Sequence, residues 1–325
     1  MGAVVDWAAL ERYQARLHQR KAAERPLFWP VLCLVSRRKF PDLRPYWGEL
    51  VDEVAALPLE PAELQARLRF LEQVREHTRA LRRRQCELEA FFRGVAHDLR
   101  APLRIIDGYV EALREDLGPL LKPEADRFLE RIRASAHQLR VLVDRLYAFC
   151  QLGFKEPTAL RPIQVRPVLE QTLAAHREVA AARRAEFSVL GPDAWVWGDT
   201  SLLRTGASEL LRNALTYVSP GLAPWVRITV QPGPRWVRIA FEDNGIGVPP
   251  EHQERIFEPL VRLHGPEAYP GTGMGLAIAR KAVELMGGRI GLQAGPTQGS
   301  VFWIELLRAE ADGSRGAHED LDYRR

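Results

Sequence analysis

Two glycine-dense stretches, Asp243-Asn-Gly-Ile-Gly247 and Gly271-Thr-Gly-Met-Gly275-Leu276, lie within one region of alternating helices and strands. Glycine allows positive φ and lets the backbone approach a ligand closely. The second stretch leads into a predicted helix at Gly275, whose N–H groups and dipole favour phosphate. Because the Asp243 carboxylate is an acceptor, it suits the exocyclic amino group of adenine. Together the loops predict a nucleotide pocket, although each loop alone is also typical of an ordinary turn.

The helix predicted at Leu202–Tyr217 carries a polar pair that extends this pocket. Glu209 and Asn213 are four residues apart and therefore share one face of the helix. The amide oxygen of Asn213 is a hard ligand suited to Mg²⁺, which keeps several waters and binds phosphates. Without the glycine loops, an asparagine here would be interpreted as a capping or surface residue. With them, the pair extends the predicted nucleotide pocket and offers Asn213 as a ligand for Mg²⁺ beside the phosphates.

The region from about residue 160 to 308 has the pattern of an α/β domain. The predicted helices are Val165–Arg184, Leu202–Tyr217 and Gly275–Met286. The predicted strands are Glu186–Leu190, Trp195–Trp197, Val226–Gln231, Trp236–Glu242, Arg289–Ala294 and Ser300–Leu307. Polar residues follow from Ala309 to Arg325, and we expect this tail to be disordered.

Two long helices precede the α/β region. From Ala62 to Val95 apolar residues alternate at spacings of three and four, which predicts a coiled-coil seam that reaches Leu99 and meets Pro102. A second helix, Pro123–Gln151, repeats the spacing. A hairpin of two such helices leaves apolar stripes exposed, and two copies would bury them as a four-helix bundle. The alternative is a long helix packed on its own domain.

The bulk composition narrows the class of protein. The chain has 325 residues, a formal net charge of +4 and three cysteines without metal-ligand spacing. Arginines interleaved with acidic residues indicate solvated helix faces, so no nucleic-acid partner is expected. The longest apolar run, from 26 to 35, is about half the ~20 residues that a membrane helix needs. No secretion signal is visible, and we expect a cytoplasmic protein without membrane insertion.

Six motifs together resemble those of sensor histidine kinases. Five of them match the family's N box, first glycine box, F box, second glycine box and closing turn: Glu209-Leu-Leu-Arg-Asn213-Ala, Asp243-Asn-Gly-Ile-Gly247, Arg255-Ile-Phe257-Glu-Pro, Gly271-Thr-Gly-Met-Gly275-Leu and Gly295-Pro-Thr-Gln-Gly299. The sixth, His97-Asp-Leu-Arg-Ala-Pro-Leu103, resembles the H box. The match covers roughly residues 88–307 and is closest to the phytochrome-like bacterial branch.

The resemblance implies a multidomain α and α/β protein. A helical-hairpin dimerisation domain of the HisKA type, a four-helix bundle in the homodimer, would precede an α/β-sandwich ATP-binding domain of the histidine kinase/gyrase superfamily. The expected domains are a receiver-like region (1–61), a coiled-coil signalling helix (62–95), the dimerisation and phosphotransfer domain (88–155), the ATP-binding domain (160–308) and the tail (309–325).

The resemblance also implies an ATP-dependent histidine autokinase. His97, neutral at the pH of a cell, would attack the γ-phosphoryl group of Mg·ATP, and Asp98 would orient the ring and accept its proton. The phosphoryl group would then pass to an aspartate on the receiver domain of a response regulator. The residues implied to bind nucleotide are Glu209, Arg212, Asn213, Tyr217, Asp243, Gly245, Gly247, Phe257, Arg262, Gly271, Thr272, Gly273, Gly275 and Leu276, with Asn213 also holding Mg²⁺.

Three positions depart from the family's pattern. Thr216 stands where the N box usually has a basic residue, so a phosphate contact is missing or comes from Arg212 or Arg262. Glu209 stands where kinases often have asparagine, and its spacing to the asparagine resembles ATPases whose glutamate activates water; slow ATP hydrolysis would follow. Ala101 stands where kinases with phosphatase activity have Thr or Asn, which predicts little phosphatase activity.

The N-terminal residues resemble the second half of a receiver domain. Val31–Val35 and Glu53–Leu57 are predicted strands, Asp6–Lys21 is a predicted helix, and Asp42–Gly48 a turn with a short helix. The half that would carry a phosphoacceptor aspartate is absent, so we expect a truncated, degenerate receiver with an uncovered sheet edge. Either the true start lies upstream or this surface docks on the partner copy. The alternative is a small helical dimerisation segment.

Two other functions compete with the kinase. A pseudokinase or scaffold would bind nucleotide and signal through dimer contacts, as the altered N box at Thr216 would suggest. A plain ATPase of the same superfamily would need no His97-Asp98 motif, and this motif therefore argues against it.

Overall fold

The computed structural model describes residues 2–24, 27–154, 160–265, 268–295 and 299–310. Contacts between residues group the chain into two units, Met1–Phe91 and Phe92–Arg325. The boundary falls inside a helix, so one continuous element contributes to both units. The expected tail 309–325 lies outside the described residues except for its first two positions, and Ala309 belongs to the last strand.

The first unit is built on three parallel strands in the order β1-β2-β3: β1 (Ala3–Asp6), β2 (Val31–Ser36) and β3 (Glu53–Leu57). Helix α1 (Trp7–Glu24) joins the first two strands, and a 3₁₀ helix, Arg37–Tyr46, joins the next two. The continuous apolar run of β2 suits a central parallel strand, which is covered on both faces. Strand β1 was not predicted, because four residues ahead of a helix are too few to show alternation.

Helices cover the two faces of this sheet. Leu10 and Leu17 of α1 pack in one apolar cluster with Leu43 and Leu50. A second cluster joins Leu32 and Ala55 of the sheet to three leucines of the next helix, α2 (Pro61–Leu117), which are Leu64, Leu68 and Leu71. The start of α2 therefore packs on the sheet, as in the alternative of a long helix packed on its own domain. The coiled coil expected for the rest of 62–95 stays a prediction. A leucine spacing of three and four suits a sheet surface as well as a partner helix.

Helix α2 and helix α3 (Pro123–Phe154) form a hairpin, joined by a short 3₁₀ turn at Gly118–Leu120. Pro102 does not end α2, although the sequence analysis had the seam meet it there. The buried apolar residues recur every seven positions on each helix: Ala96, Leu103 and Val110 on α2, and Ala136 and Val143 on α3. The hairpin interior is thus a heptad seam of small and medium side chains.

Ion pairs join the two helices along their length. Arg100 contacts Asp144 at 2.7 Å, Arg140 contacts Asp107 at 2.7 Å, and Arg114 contacts Asp126 at 2.9 Å. A second set of apolar side chains stays exposed on the hairpin: Leu99, Ile106, Leu113, Phe128, Ile132, Leu139 and Leu146. This set, called here the exposed hairpin stripe, is the unpartnered surface that the sequence analysis predicted.

The rest of the second unit is a seven-stranded sheet backed by four helices. The strands are β4 (Arg161–Gln164), β5 (Glu186–Leu190), β6 (Trp195–Gly198), β7 (Trp225–Pro232), β8 (Trp236–Asp243), β9 (Arg289–Ala294) and β10 (Ser300–Ala309). Their order is β4-β6-β10-β8-β7-β5, with β9 also paired to β10. The helices are α4 (Val165–Ala175), α5 (Arg177–Ala182), α6 (Thr200–Thr216) and α7 (Gly275–Leu285).

The predicted α6, α7 and six of these strands agree with the structure to within three residues. The single helix predicted at Val165–Arg184 is two helices that meet at His176, and β4 was not predicted. The fold class, a helical hairpin followed by an α/β domain with a mixed sheet, is confirmed.

One core positions α6 and α7 against the sheet. Alternate residues of β7, β8 and β10 point inward and are buried with the apolar faces of these helices. The Asp199 carboxylate caps α6 by accepting from the N–H groups of Ser201 (2.8 Å) and Leu202 (3.0 Å). The opposite end of α6 lies beside the carboxyl end of β8, because the N–H of Ile246 donates to the carbonyl of Tyr217 at 2.9 Å. Among the helices of the described residues, none has the length and apolar character to cross a membrane.

Candidate functional site

A cavity of about 690 Å³ lies where β8 ends, between α3, α6, α7 and the segment that follows β8. Its volume falls within the range of small-molecule sites, roughly 300–1,000 Å³. The residues predicted to bind nucleotide that line it are Glu209, Arg212, Asn213, Tyr217, Asp243, Gly245, Gly247, Arg262, Gly271, Thr272, Gly273, Gly275 and Leu276. Residues spread over 68 positions of sequence therefore meet in one place.

Asp243 is the last residue of β8 and is 4% exposed. Its Oδ1 accepts hydrogen bonds from the backbone N–H of Gly245 (2.9 Å) and of Ser300 (3.1 Å). Burial raises the pKa of Asp243 from 3.8 to about 6, although these two N–H donors act in the opposite direction. The second carboxylate oxygen remains as an acceptor at the cavity.

Gly245 must be glycine because a side chain at this position would collide with its neighbours. A Cβ there would lie 2.6 Å from the carbonyl oxygen of Tyr217 and 2.8 Å from Asp243 Oδ1. The loop is held to α6 by the N–H of Ile246, which donates to the Tyr217 carbonyl at 2.9 Å. Asn244 fixes the loop on its other side, accepting from the Trp225 N–H and donating to the Ala223 carbonyl, both at 2.8 Å. The sequence analysis assigned no role to Asn244.

The second glycine loop, 271–276, lines the cavity and includes a backbone conformation that favours glycine. Gly273 has φ of +72°, and its carbonyl accepts from the N–H of Leu260 at 3.0 Å. Arg262 donates to the carbonyl of Tyr269 at 2.8 Å. The Tyr269 ring lies 5.4 Å from the ring of Tyr217. These contacts place the segment between β8 and α7 over the cavity.

Phe257 does not line the cavity, contrary to the prediction that it binds nucleotide directly. It is buried, with its ring centroid 6.4 Å from that of Phe302 in an edge-to-face contact. The aromatic ring belongs to the core below the site, because a short 3₁₀ helix, Arg255–Phe257, turns it inward. Its role is therefore to support the segment above the cavity.

Glu209 is buried at the cavity wall, between two arginines. One carboxylate oxygen pairs with Arg145 of α3, and the other pairs with Arg212 of α6. Burial, followed by the positive charge of Arg145, lowers the pKa of Arg212 to about 10. Burial also lowers the pKa of Arg145. No signal in the sequence marked Arg145. It lies in a helix whose sequence pattern shows only which apolar residues form the heptad seam.

Thr216 lines the cavity but brings no positive charge to it. Its hydroxyl donates to the carbonyl of Arg212 one turn earlier in α6, at 2.7 Å. The side chain of Thr216, which departs from the family's pattern, thus forms a hydrogen bond within its own helix.

His97 and Asp98 lie on the outward face of α2, as predicted, and outside the residues that line the cavity. Their side chains are 77% and 83% exposed, and His97 Nδ1 lies 3.1 Å from Asp98 Oδ1. This contact leaves Nε2 as the ring nitrogen that is directed away from the carboxylate.

The residues present fit an adenine nucleotide. A buried acceptor, Asp243, two close glycine loops and the start of α7 supply the base and phosphate contacts that such a ligand needs. Among the described residues no group of three His, Cys, Asp or Glu could hold a metal ion by itself. The amide oxygen of Asn213, which lines the cavity, is a hard ligand of the kind that Mg²⁺ takes when it binds phosphates.

Comparisons with known proteins agree with this geometry. Residues 198–310 match the model of the histidine kinase-, DNA gyrase B- and HSP90-like ATPase family, and residues 87–152 match that of the His Kinase A phosphoacceptor domain. The phytochrome-like protein Cph1 of Synechocystis is 30% identical over 263 residues, which cover 79% of this chain and 34% of that protein. The sensor histidine kinase AruS of Pseudomonas aeruginosa is 33% identical over 267 residues, 74% of this chain and 25% of that protein.

Among solved structures, full-length ShkA in complex with AMPPNP is similar with a TM-score of 0.52 and 26% identity, over 70% of this chain and 48% of that one. The chain spans about a third of the length of the curated relatives that it matches first. The likeness therefore concerns the hairpin and the α/β domain.

The raised pKa of Asp243 predicts how its replacement affects stability. A carboxyl whose pKa is higher in the folded state contributes stability that is complete below pH 3.8 and is lost as the pH rises through about 6. Asp243→Asn keeps the acceptor for both N–H groups without the buried charge. At pH 7 we expect it to unfold with a free energy higher by up to about 3 kcal/mol.

Urea denaturation at several pH values measures this difference. The gap between Asp243→Asn and the unsubstituted protein should be largest above pH 6 and should close as the pH approaches 4. A gap that is constant with pH would contradict the assignment of a buried, ionising carboxyl.

Proposed function

We propose that this chain, whose residues 87–310 belong to the sensor histidine kinase family, phosphorylates His97 with ATP and passes the phosphoryl group to an aspartate of a response regulator. The observation that carries the proposal is the coexistence in one chain of the Asp243 cavity and the exposed His97–Asp98 pair. A nucleotide site alone would suit many ATPases, whereas this pair offers the γ-phosphoryl group an acceptor within the protein.

The cavity would orient ATP from both ends. The free carboxylate oxygen of Asp243 would accept from the adenine amino group, and the first N–H groups of α7, beginning at Gly275, would face the phosphates. Mg²⁺, bound through Asn213 and the phosphates, would neutralise charge that develops during phosphoryl transfer. Catalysis would then depend mainly on positioning, since phosphoryl transfer needs little covalent assistance from the protein.

The chemical step follows from the geometry of the His97–Asp98 pair. Nε2 would attack the γ-phosphorus, the bond from phosphorus to the bridging oxygen would break, and ADP would leave. Nδ1 lies 3.1 Å from Asp98 Oδ1, and its proton would pass to that carboxylate as the ring gains positive charge. Because both side chains are exposed, bound ATP, and afterwards a receiver domain, could reach the same nitrogen. Both ATP and such regulators are cytoplasmic, so we place this chain in the cytoplasm.

The exposed hairpin stripe supports a homodimer. Side chains such as Ile132 (47% exposed) and Phe128 (62% exposed) form a row beside a groove that also includes Leu103 and Ala136. Burying an apolar side chain stabilises by about 1.5–3 kcal/mol, so a second hairpin is favoured to cover this row. Four helices would then enclose one core.

Replacement of the proposed phosphoacceptor should abolish labelling. With γ-labelled ATP and Mg²⁺, we expect acid-labile, base-stable label on the protein that is absent from His97→Gln. Asp98→Asn should slow the labelling about a hundredfold, because the ring loses its proton acceptor. His77→Gln is the matched control, since His77 is exposed on the same helix, bonded to the Gln73 carbonyl one turn earlier, and outside the cavity lining. Labelling and phosphate release are measured in one time course.

The outcome separates three functions. Absence of label in protein that still binds ATP would leave a nucleotide-binding scaffold as the function. Release of inorganic phosphate without label would indicate an ATPase. The ion pairs of Glu209 disfavour that function, because a carboxylate held by two guanidiniums is a weak base for water.

A charge in the exposed hairpin stripe should separate the dimer. Ile132→Glu would have to bury a carboxylate in the apolar interface, and we expect the monomer fraction in sedimentation velocity to rise at least tenfold. Ala134→Glu is the control, because Ala134 is exposed roughly 200° away around the same helix. Equal dimer fractions for the two variants would exclude this stripe as the interface.

Little phosphatase activity is expected, because Ala101 offers no polar group that could hold a water near His97. A purified phosphorylated receiver partner should lose its phosphate at nearly its spontaneous rate when this protein is added without nucleotide. Ala101→Thr should accelerate the loss. Rapid loss with the unsubstituted protein would contradict the role assigned to this position.

A further inference from the structure

We propose that Arg145, contributed by the hairpin helix α3, binds the phosphates of the nucleotide together with Arg212. In this proposal, which rests on the ATP site described above, the Glu209 carboxylate holds both guanidiniums in place until the nucleotide arrives. Arg145 would be a nucleotide-binding residue supplied by the domain that also carries the phosphoacceptor.

The cavity needs a source of positive charge. Thr216 has its hydroxyl bonded to the Arg212 carbonyl and brings no charge to the phosphates. Among the described residues that line the cavity, the guanidiniums are those of Arg145, Arg212 and Arg262. Arg262 donates to the Tyr269 carbonyl in the segment above the cavity. Arg145 and Arg212 converge instead on one point of the wall.

That point is where an anion is favoured. A Cβ placed on Gly275, the first residue of α7, would lie 2.9 Å from Glu209 Oε2. A negative group at the N-terminus of a helix is stabilised by the helix dipole and the free N–H groups. The Glu209 carboxylate therefore occupies the place, and has the partners, that a phosphate group would have.

The charges around Glu209 do not balance. Two guanidiniums share one carboxylate, which leaves an excess positive charge in a wall where Glu209 itself is 7% exposed. Burial lowers the pKa of Arg212, and the neighbouring positive charge of Arg145 lowers it further. A triphosphate supplies negative charge, and hydrogen bonds between guanidiniums and phosphates are among the strong ones in proteins.

Because Arg145 belongs to the hairpin, its contact with the phosphates would link nucleotide binding to the position of the hairpin. Helix α3 packs against α7 within the second unit, so the guanidinium reaches the cavity only in this arrangement of the hairpin and the α/β domain. Nucleotide affinity would then depend on where the hairpin helix lies. A change that moves α3 away would weaken the grip on the phosphates without altering the adenine contact at Asp243.

The test compares ligands with and without phosphates on the full-length protein. Binding of Mg·AMPPNP and of adenosine is measured by calorimetry for the unsubstituted protein and for Arg145→Met. We expect Mg·AMPPNP to bind about tenfold more weakly to the variant and adenosine to bind equally. Glu209→Gln removes the competing charge while keeping the shape, and we expect severalfold tighter binding of Mg·AMPPNP.

Arg114→Met is the matched control. Arg114, like Arg145, pairs with a carboxylate of another helix: it joins α2 to Asp126 and Glu130 of α3, but it lies outside the residues that line the cavity. Its replacement should leave both affinities unchanged.

Unchanged or tighter binding of Mg·AMPPNP by Arg145→Met would overturn the proposal, and the second result would make Arg145 a blocking residue. Equal weakening for both ligands would show a structural role and would also overturn it. Weaker binding by Glu209→Gln would refute the placeholder role of Glu209. If the unsubstituted protein bound neither ligand, the proposed function itself would fail, which is distinct from these results.

Discussion

The buried carboxylate of Asp243 is the constraint around which the α/β domain is arranged. Its Oδ1 joins the end of β8 to the first glycine loop and to the start of β10, through the N–H groups of Gly245 and Ser300. A buried carboxylate costs free energy unless it is paired or bonded, and here burial outweighs the two donors in setting its pKa. The protein keeps an acceptor where stability alone would favour a neutral group. A ligand that donates to the remaining oxygen would offset part of this cost.

The cavity was predictable from the sequence because its loops need glycine and a carboxylate at fixed positions, and such residues are recognisable as a motif. Gly245 cannot carry a side chain beside the Tyr217 carbonyl, and this exclusion is visible as a motif. The direction of a side chain was less predictable. Phe257 follows the motif, yet the 3₁₀ turn at Arg255–Phe257 places its ring in the core with Phe302. Motifs identify the loop, whereas the local backbone decides which of its side chains reach the cavity.

Apolar periodicity predicted the helices well but not what covers them. Leu64 and Leu68 have the spacing of a coiled-coil seam and pack on the N-terminal sheet instead. Pro102 also did not end α2. Proline removes one backbone hydrogen bond from the helix, and the helical residues on both sides, together with the packing in the hairpin, outweigh this loss. Strand β1 was missed since four residues show no period. Each difference arises from tertiary contacts that a local pattern does not contain.

The Glu209 cluster shows why a departure from a family pattern is best interpreted with the structure. From the sequence, Thr216 was interpreted as the loss of a phosphate contact, and Glu209 as a base that would activate water for ATP hydrolysis. In the structure, the carboxylate is held by Arg145 and Arg212 beside the first turn of α7, so both departures concern one local charge balance. Arg145 comes from a helix with no motif, and only the folded chain brings it to the cavity. Phosphate contacts shared between the hairpin and the α/β domain would make nucleotide binding sensitive to the position of the hairpin.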